Sequence, residues 1–493
     1  MEFIGKRVVV LGAGTSGVAA SRLLSRLGSK VWLVDEREPQ LDSRTVEDLK
    51  DLGVDCRFSV LDLESSGWDF AVVSPGVLME SVLIQRLQSL SVPVFSEIEI
   101  ASQASQANAV AVTGTNGKTT TTRLIEAVMR EVGWNALAAG NIGFPYSAAV
   151  LEDTQPDWIS LEVSSFQLEH VDAFRPKVAV LLNLAPDHLD RHHSLEGYYR
   201  MKARVFENQR ADDWAVIQSE AARQLEGLGV RPKGRLITFS SKDTSADIYY
   251  GRGFIVSQIP GWSGVVYDCR SGSLRGVHNA ENLMATILVG YSLGIPLSEI
   301  RLALSKFQPD PHRFEVLPTV AGVSVVNDSK STNPDSMRAA IEASSVLSNS
   351  SSRLWLIAGG ENKQLSFHEV APLVSDRVEG VFLFGRSRDE MGAVFGRSTQ
   401  CLLSESLGES VENAFDRAQS GDVVLFSPGC ASFDQFSSYI QRGEVFKSAV
   451  SEHRKDPRTP AHSIVRVPDR EASFRSCRSE SPLTALKPVE FSK

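Results

Sequence analysis

The sequence predicts three consecutive α/β domains followed by a disordered tail, and three observations predict it. Short β-rich runs alternate with helical periodicity from the first residues to about residue 450, the pattern of parallel sheets with crossover helices. Two glycine-rich turns, at 12–17 and 114–117, each follow an apolar run and precede a helical one, so they open two separate units. Pro309-Asp310-Pro311 is a stiff breaker before a third run of alternation. At 493 residues the chain can hold two to four domains, each with its own core. The expected boundaries are 1–97, 98–309 and 310–453, with the tail at 454–493.

In the first block, strands are expected at 7–11, 30–34, 70–73 and 92–95. Gly12-Ala13-Gly14-Thr15-Ser16-Gly17 follows the first strand and Asp35 ends the second, which makes the block Rossmann-like. The physics of that motif specifies a diphosphate at a helix N-terminus and a hydrogen-bonding acid. A nucleotide-linked sugar satisfies both as well as a dinucleotide does. Ser74-Pro75-Gly76, after the third strand, is placed to line the same crevice.

The second block has expected strands at 109–112, 158–163, 178–183 and 214–218. Its first strand runs into Thr113-Gly114-Thr115-Asn116-Gly117-Lys118-Thr119-Thr120, and a helix follows. Glycine allows backbone N–H groups close approach to an anion, and the helix N-terminus adds its own unpaired donors and partial positive charge. Lys118 can neutralise phosphate charge and the Thr119 hydroxyl can hold Mg²⁺, so the central block reads as a P-loop-type ATPase. Only two residues separate the two glycines, against four in a common P-loop.

Glu162 ends an apolar strand where a carboxylate facing the phosphate loop is a natural Mg²⁺ ligand. Asn183, Asp187, His188 and Asp190 crowd the end of the next strand. Lys202 follows at helical spacing and by pattern alone is a solvated surface lysine. Asn279 and Asn282, three apart before an expected helix at 283–291, share a helix face and could read an adenine edge; Asn279 equally suits a helix cap. The third block has expected strands at 323–327, 354–358, 381–384 and 423–427.

Composition narrows the class. No apolar run is long enough to span a bilayer, and the first residues lead into a strand rather than a signal peptide, so no membrane insertion and a cytoplasmic location are expected. The five cysteines (Cys56, Cys269, Cys401, Cys430, Cys477) form no CxxC pair, which fits a reducing compartment. The net charge is −9, yet residues 454–493 carry nine Lys/Arg against five Asp/Glu. The acidic body argues against a nucleic-acid partner, and the Ser/Pro/Arg-rich tail reads as disordered.

Taken together, Gly114-Thr-Asn-Gly-Lys118-Thr, Glu162-Val-Ser-Ser, Asn183…Asp187-His-Leu-Asp190, Gly276-Val-His-Asn279…Asn282 and His312-Arg313-Phe-Glu315 resemble the bacterial Mur ligases, the ATP-dependent amino-acid-adding enzymes of peptidoglycan synthesis. Asn327-Asp328-Ser-Lys330-Ser-Thr332-Asn and Ser427-Pro-Gly-Cys430-Ala-Ser432-Phe-Asp-Gln-Phe…Gln441-Arg-Gly443 are most similar to the members that add D-glutamate. The resemblance spans residues 1 to about 450. It implies an enzyme that joins D-glutamate to UDP-N-acetylmuramoyl-L-alanine through an acyl phosphate, using ATP and two Mg²⁺ ions; a monomer is expected.

Carried over by position, the resemblance assigns Thr15, Ser16, Asp35, Arg37 and Gly76 to the uridine diphosphate. Asn141, Ser164 and Gln167 go to the sugar-peptide end. Gly114, Thr115, Asn116, Gly117, Lys118, Thr119 and Thr120 would hold the ATP phosphates. Asn279, Asn282, Arg313, Asp328 and Lys330 would surround the adenosine and γ-phosphate. Thr332, Lys363, Ser432 and Tyr439 would seat the D-glutamate carboxylates. The metal ligands implied are Thr119, Glu162, His188 and Lys202, the last carbamylated by CO₂; Lys118, Glu162, His188 and Lys202 form the implied catalytic set. The resemblance also implies that the C-terminal domain closes over the ATP site. Rival readings are a folylpolyglutamate synthetase, which has no need of the 12–17 block, and a nicotinamide oxidoreductase, which leaves Lys118, Glu162 and His188 idle. A nucleotide-binding switch would bind ATP without forming an amide.

Overall fold

A computed structural model describes residues 1–39, 41–63, 67–274, 276–344, 347, 352–363 and 365–455. The expected disordered tail lies, from residue 456 on, outside the described residues.

The first sheet contains β1 (Arg7–Leu11), β2 (Lys30–Asp35), β3 (Asp55–Phe58), β4 (Phe70–Val73) and β5 (Val94–Ser96), all parallel, in the order β3-β2-β1-β4-β5. Val8, Val9, Val10 and Leu11 of the central strand are buried, as expected of an apolar strand covered on both faces. The strand order reverses between β1 and β4, which opens a crevice at their C-terminal ends. The loops at 12–17 and 74–76 flank it.

The second sheet has nine strands: β6 (Asn108–Thr113), β7 (Ala136–Gly140), β8 (Trp158–Glu162), β9 (Val178–Leu181), β10 (Trp214–Gln218), β11 (Arg235–Ser240), β12 (Ile248–Gly251), β13 (Phe254–Ser257) and β14 (Gly264–Asp268). Their order is β14-β13-β12-β11-β10-β9-β6-β8-β7. The two outermost pairings, β12 with β13 and β13 with β14, are antiparallel hairpins. Side-chain alternation splits the sheet cleanly. Val110, Val112, Val178, Val180 and Val216 pack under the helices Lys118–Glu131, Val277–Ser292 and Leu297–Lys306. Ala111, Leu161, Ala179 and Leu181 face the other way, into a core shared with the first sheet through Ile98, Ile100 and Ala101 of the helix Glu97–Ala104.

The third sheet, in the order β15-β16-β20-β17-β18-β19, comprises β15 (Glu315–Val320), β16 (Val323–Asn327), β17 (Leu354–Gly359), β18 (Gly380–Phe384), β19 (Gln400–Leu403) and β20 (Val423–Phe426). Only β15 is antiparallel; it turns back through Ala321 and Gly322, both at positive φ as a tight hairpin requires. Among the described residues no helix is long and apolar enough to cross a membrane.

Candidate active site

The phosphate loop leaves β6 and enters the helix Lys118–Glu131 at Gly117, which has φ 84°. A Cβ there would lie 2.2 Å from Asn282 Oδ1, so only glycine fits. Asn183 holds the loop from β9: its Oδ1 accepts from Asn116 N at 2.8 Å and its Nδ2 donates to Asn116 O at 3.1 Å. Thr115 Oγ1 donates to Ala185 O and accepts from Ala185 N, both at 3.0 Å.

Two ammonium groups converge on one carbonyl of this loop. Lys118 Nζ donates to Gly114 O at 2.9 Å and to Thr115 O at 2.8 Å, and Lys202 Nζ donates to Gly114 O at 2.8 Å. Lys202 is 2% exposed, so the surface-lysine expectation from pattern is corrected: the helix Leu195–Ala203 turns it inward, over the ring of Tyr198 at 4.7 Å. Burial, reinforced by Lys118, holds the Lys202 amine well below the usual lysine range; burial also lowers Lys118.

Beside the lysines, Thr119 Oγ1 donates to Glu162 Oε2 at 2.5 Å, and Asn141 Nδ2 holds Glu162 Oε1 at 3.2 Å. Hard oxygen donors, oriented by an amide and placed at a phosphate loop, fit Mg²⁺ shared with phosphate oxygens. His188 follows β9 with φ 51° and packs its ring against Phe166 at 4.8 Å. Burial pushes its imidazole down to about 3, the nearby Lys363, Lys118 and Lys202 adding to the effect against Asp187. The ring is therefore neutral at pH 7 and available as a ligand.

The loops at the C-terminal ends of β16, β17 and β20 face this cluster. Lys363 Nζ lies 3.6 Å from Asp187 Oδ1 and Asn333 Nδ2 donates to Asp187 Oδ2 at 3.2 Å. Lys330 sits over the Tyr439 ring at 3.9 Å; burial, with Arg313 beside it, lowers its amine to about 7. Arg442, wholly buried, donates to Ser329 O at 2.7 Å, Cys430 O at 3.0 Å and Ala431 O at 3.1 Å, tying together the loops that carry Lys330, Thr332 and Ser432.

Several predicted residues have local duties. Asp328 accepts from Phe314 N and Ser427 Oγ, both at 3.0 Å, and so braces a loop in which His312 and Phe314 have positive φ around Arg313. Ser164 and Gln167 form a capping box on the helix Ser165–Leu168. Asn279 lies inside the helix Val277–Ser292, whose cap is Gly276, so the capping expectation is corrected; Asn282 Nδ2 donates to Asn279 Oδ1 at 3.2 Å and Asn282 Oδ1 accepts from Thr121 Oγ1. At the first crevice, Asp35 accepts from Ala13 N at 2.8 Å and Arg37 N at 2.9 Å. Thr15, Arg37 and Gly76 are exposed around it and Ser16 is half-buried. Thr332, Ser432 and Tyr439 are brought to the third sheet's loop cluster, where Tyr439 O accepts from Ser329 Oγ.

Comparison with known proteins matches residues 112–290 to the Mur ligase middle domain and 312–430 to the Mur ligase glutamate ligase domain. A UDP-N-acetylmuramoylalanine--D-glutamate ligase of Thermoanaerobacter sp. (strain X514) is 37% identical over 461 residues, covering 92% of this chain and 100% of the relative. The chain belongs to the Mur ligase family. A ligase of the same name from Desulfitobacterium hafniense is 40% identical over 467 residues, covering 93% of this chain and 100% of its own. Among solved Mur ligase structures, UDP-N-acetylmuramate-alanine ligase MurC from Thermotoga maritima aligns with a TM-score of 0.56 at 19% identity, over 90% of this chain and 99% of that one. MurF from Acinetobacter baumannii aligns at 0.59 and 15% identity, over 86% and 90%. These two share the fold.

Asp335 carries no expected role in the sequence, and Asn333 enters only as the last residue of the 327–333 motif. The Asn-Pro-Asp run reads as an ordinary helix start, and nothing local says that it faces a loop more than two hundred residues away. The capping box at Ser164 and Gln167, residues expected only at the sugar-peptide end, has the Ser-x-x-Gln spacing of a helix start.

Proposed function

We propose that this chain is an ATP-dependent ligase that joins D-glutamate to the L-alanine carboxylate of UDP-N-acetylmuramoyl-L-alanine. The observation that carries the reading is the convergence of Lys118, Lys202, Thr119 and Glu162 on one phosphate loop, faced by Lys330 and Lys363 from the third sheet. Full-length similarity to ligases of that name supports the substrates. The first crevice would take the uridine diphosphate on the N-terminus of the helix Thr15–Arg26, with Asp35, Arg37 and Gly76 around it. The phosphate loop would take ATP, and the loops holding Thr332, Lys363, Ser432 and Tyr439 would take D-glutamate.

The γ-phosphoryl group transfers to the alanine carboxylate, giving an acyl phosphate and ADP. Lys118 and Arg313 neutralise charge on the transferring group, and the loop N–H groups fix its position. Bound Mg²⁺ would supply further charge neutralisation there, held by Thr119, Glu162 and His188. Lys202, as a neutral amine, forms an N–C bond to CO₂ and gives up one proton to solvent, becoming a carbamate that places an anion at a site crowded with cations. The neutral amine of D-glutamate then adds to the acyl carbon, the C–O bond to phosphate breaks, and the nitrogen loses its extra proton to solvent, leaving the amide and phosphate. The chain acts as a monomer in the cytoplasm, where ATP and the nucleotide-linked sugar are available.

The test is phosphate release and product mass with ATP, Mg²⁺, CO₂ and UDP-N-acetylmuramoyl-L-alanine, supplied separately with D-glutamate, L-glutamate, L-alanine or meso-diaminopimelate. Turnover with D-glutamate alone is expected. Turnover with a different amino acid would move the enzyme to another ligation step.

A further inference from the structure

The phosphate loop and the amino-acid domain touch through a chain of polar groups, two of whose members, Asn333 and Asp335, carry none of the assigned roles. Asn116, between the two glycines of the loop, donates from Nδ2 to Asp335 Oδ2 at 2.7 Å. Asp335 lies in the first turn of the helix Pro334–Ser344 on the third sheet. Asn333 accepts at Oδ1 from Ser336 N at 2.8 Å, as a helix cap does, and its Nδ2 reaches Asn116 Oδ1 at 3.3 Å and Asp187 Oδ2 at 3.2 Å. Asp187 continues the chain to Lys363. Both ends of the Asn116 carboxamide are therefore spent on the opposite domain, while its backbone N–H and C=O are spent on Asn183.

A carboxylate accepting one short bond from a half-buried amide is a directional contact, stronger than a neutral pair. It also joins the two halves of the cleft at the loop that would hold the phosphates. An acyl phosphate in an open cleft meets water. Water adds to the acyl carbon, the C–O bond to phosphate breaks, and the carboxylate and phosphate are released, so that ATP is hydrolysed with no amide formed.

We propose that Asp335 is a positioning residue that latches the amino-acid domain onto the phosphate loop, so that the acyl phosphate is passed to the amine rather than to water. The proposal rests on the ligase reading above. It separates two requirements: Lys118 and Glu162 make phosphoryl transfer possible, while Asp335 keeps it coupled to amide formation.

The test compares wild type with Asp335→Ala, Asp335→Asn and Asp335→Ser, measuring phosphate and amide in the same reaction as D-glutamate is titrated. Asn keeps an acceptor for Asn116; Ser keeps an oxygen in the first helical turn but is too short to reach it. Wild type should release one phosphate per amide at every D-glutamate concentration. The Ala and Ser variants should raise KM for D-glutamate about tenfold, the scale of one charge-assisted hydrogen bond. They should also release excess phosphate at low D-glutamate, with KM for ATP nearly unchanged. Asn should restore most of the coupling. A residue that merely stabilises its helix would lower the melting temperature and leave the ratio at one, which would overturn the proposal. Small-angle scattering of the ligand-free proteins gives a readout independent of activity. A larger radius of gyration for Ala and Ser than for wild type supports the latch, and equal radii contradict it even where wild type itself makes no amide with D-glutamate.

Discussion

Lys202 carries the sharpest contrast between pattern and place. Its spacing suits a solvated face, yet it is buried with its ammonium on the same carbonyl as Lys118. Two cations sharing one neutral acceptor is an arrangement that conversion of one of them to an anion relieves. Lys202→Ala should therefore leave the protein folded and reduce turnover at least a hundredfold, by about the loss of one strong electrostatic contact at the transferring phosphate. Small carboxylic acids should restore part of the activity. Full activity in the variant would remove the carbamate role. Nothing in the sequence around Lys202 announces its burial, because inward orientation depends on Tyr198 and on where the helix Leu195–Ala203 docks. The phosphate loop was legible because its chemistry is local: strand, glycines, Lys118 and Thr119 are consecutive.

At the scale of elements, twelve of the twenty described strands were legible, while β3, β7, β11, β12, β13, β14, β15 and β19 were not, and some of these misses have physical causes. β7 (Ala136–Gly140) is alanine-rich with no β-branched residue, and it lies on a sheet edge. The strands β12, β13 and β14 were missed because they are short and meander, so they lack the strand–helix alternation that marked the rest. The helix Glu97–Ala104 illustrates a cost built into an interface. Glu97 is wholly buried between the first two sheets and accepts from Ser147 N; burial pushes its carboxyl up to about 7 from an ordinary value of 4.5. Below the ordinary value both folded and unfolded chains hold the proton, and the contribution is at its most favourable. As pH rises towards 7 the unfolded chain releases its proton and the folded one does not, so stability falls. The loss is on the order of 3 kcal/mol for a shift of this size. Glu97→Gln should unfold at a higher temperature than wild type at pH 8, and at nearly the same temperature near pH 4. Equal melting temperatures at pH 8 would show that Glu97 titrates normally.

For the whole molecule, three sheets present the C-terminal ends of their strands to shared clefts. This is why residues as distant as Gly114, Lys202, Asn333 and Lys363 meet. The central strands of each sheet were foreseeable from alternation. Their docking was not, since it depends on one face of β6 carrying Ala111 towards the first sheet and the other carrying Val110 and Val112 towards the helices. The Asn116–Asp335 and Asp187–Lys363 contacts join the phosphate loop and the loop after β9 to the third sheet.

The account's central claim is that the phosphate loop activates a carboxylate for attack by D-glutamate. Its most direct test is turnover of UDP-N-acetylmuramoyl-L-alanine labelled with ¹⁸O in both alanine carboxylate oxygens, followed by mass analysis of the phosphate. The account predicts one ¹⁸O in each phosphate released, appearing together with amide product in the presence of D-glutamate. Unlabelled phosphate would mean that ATP is cleaved by water, and that the loop powers something other than this bond.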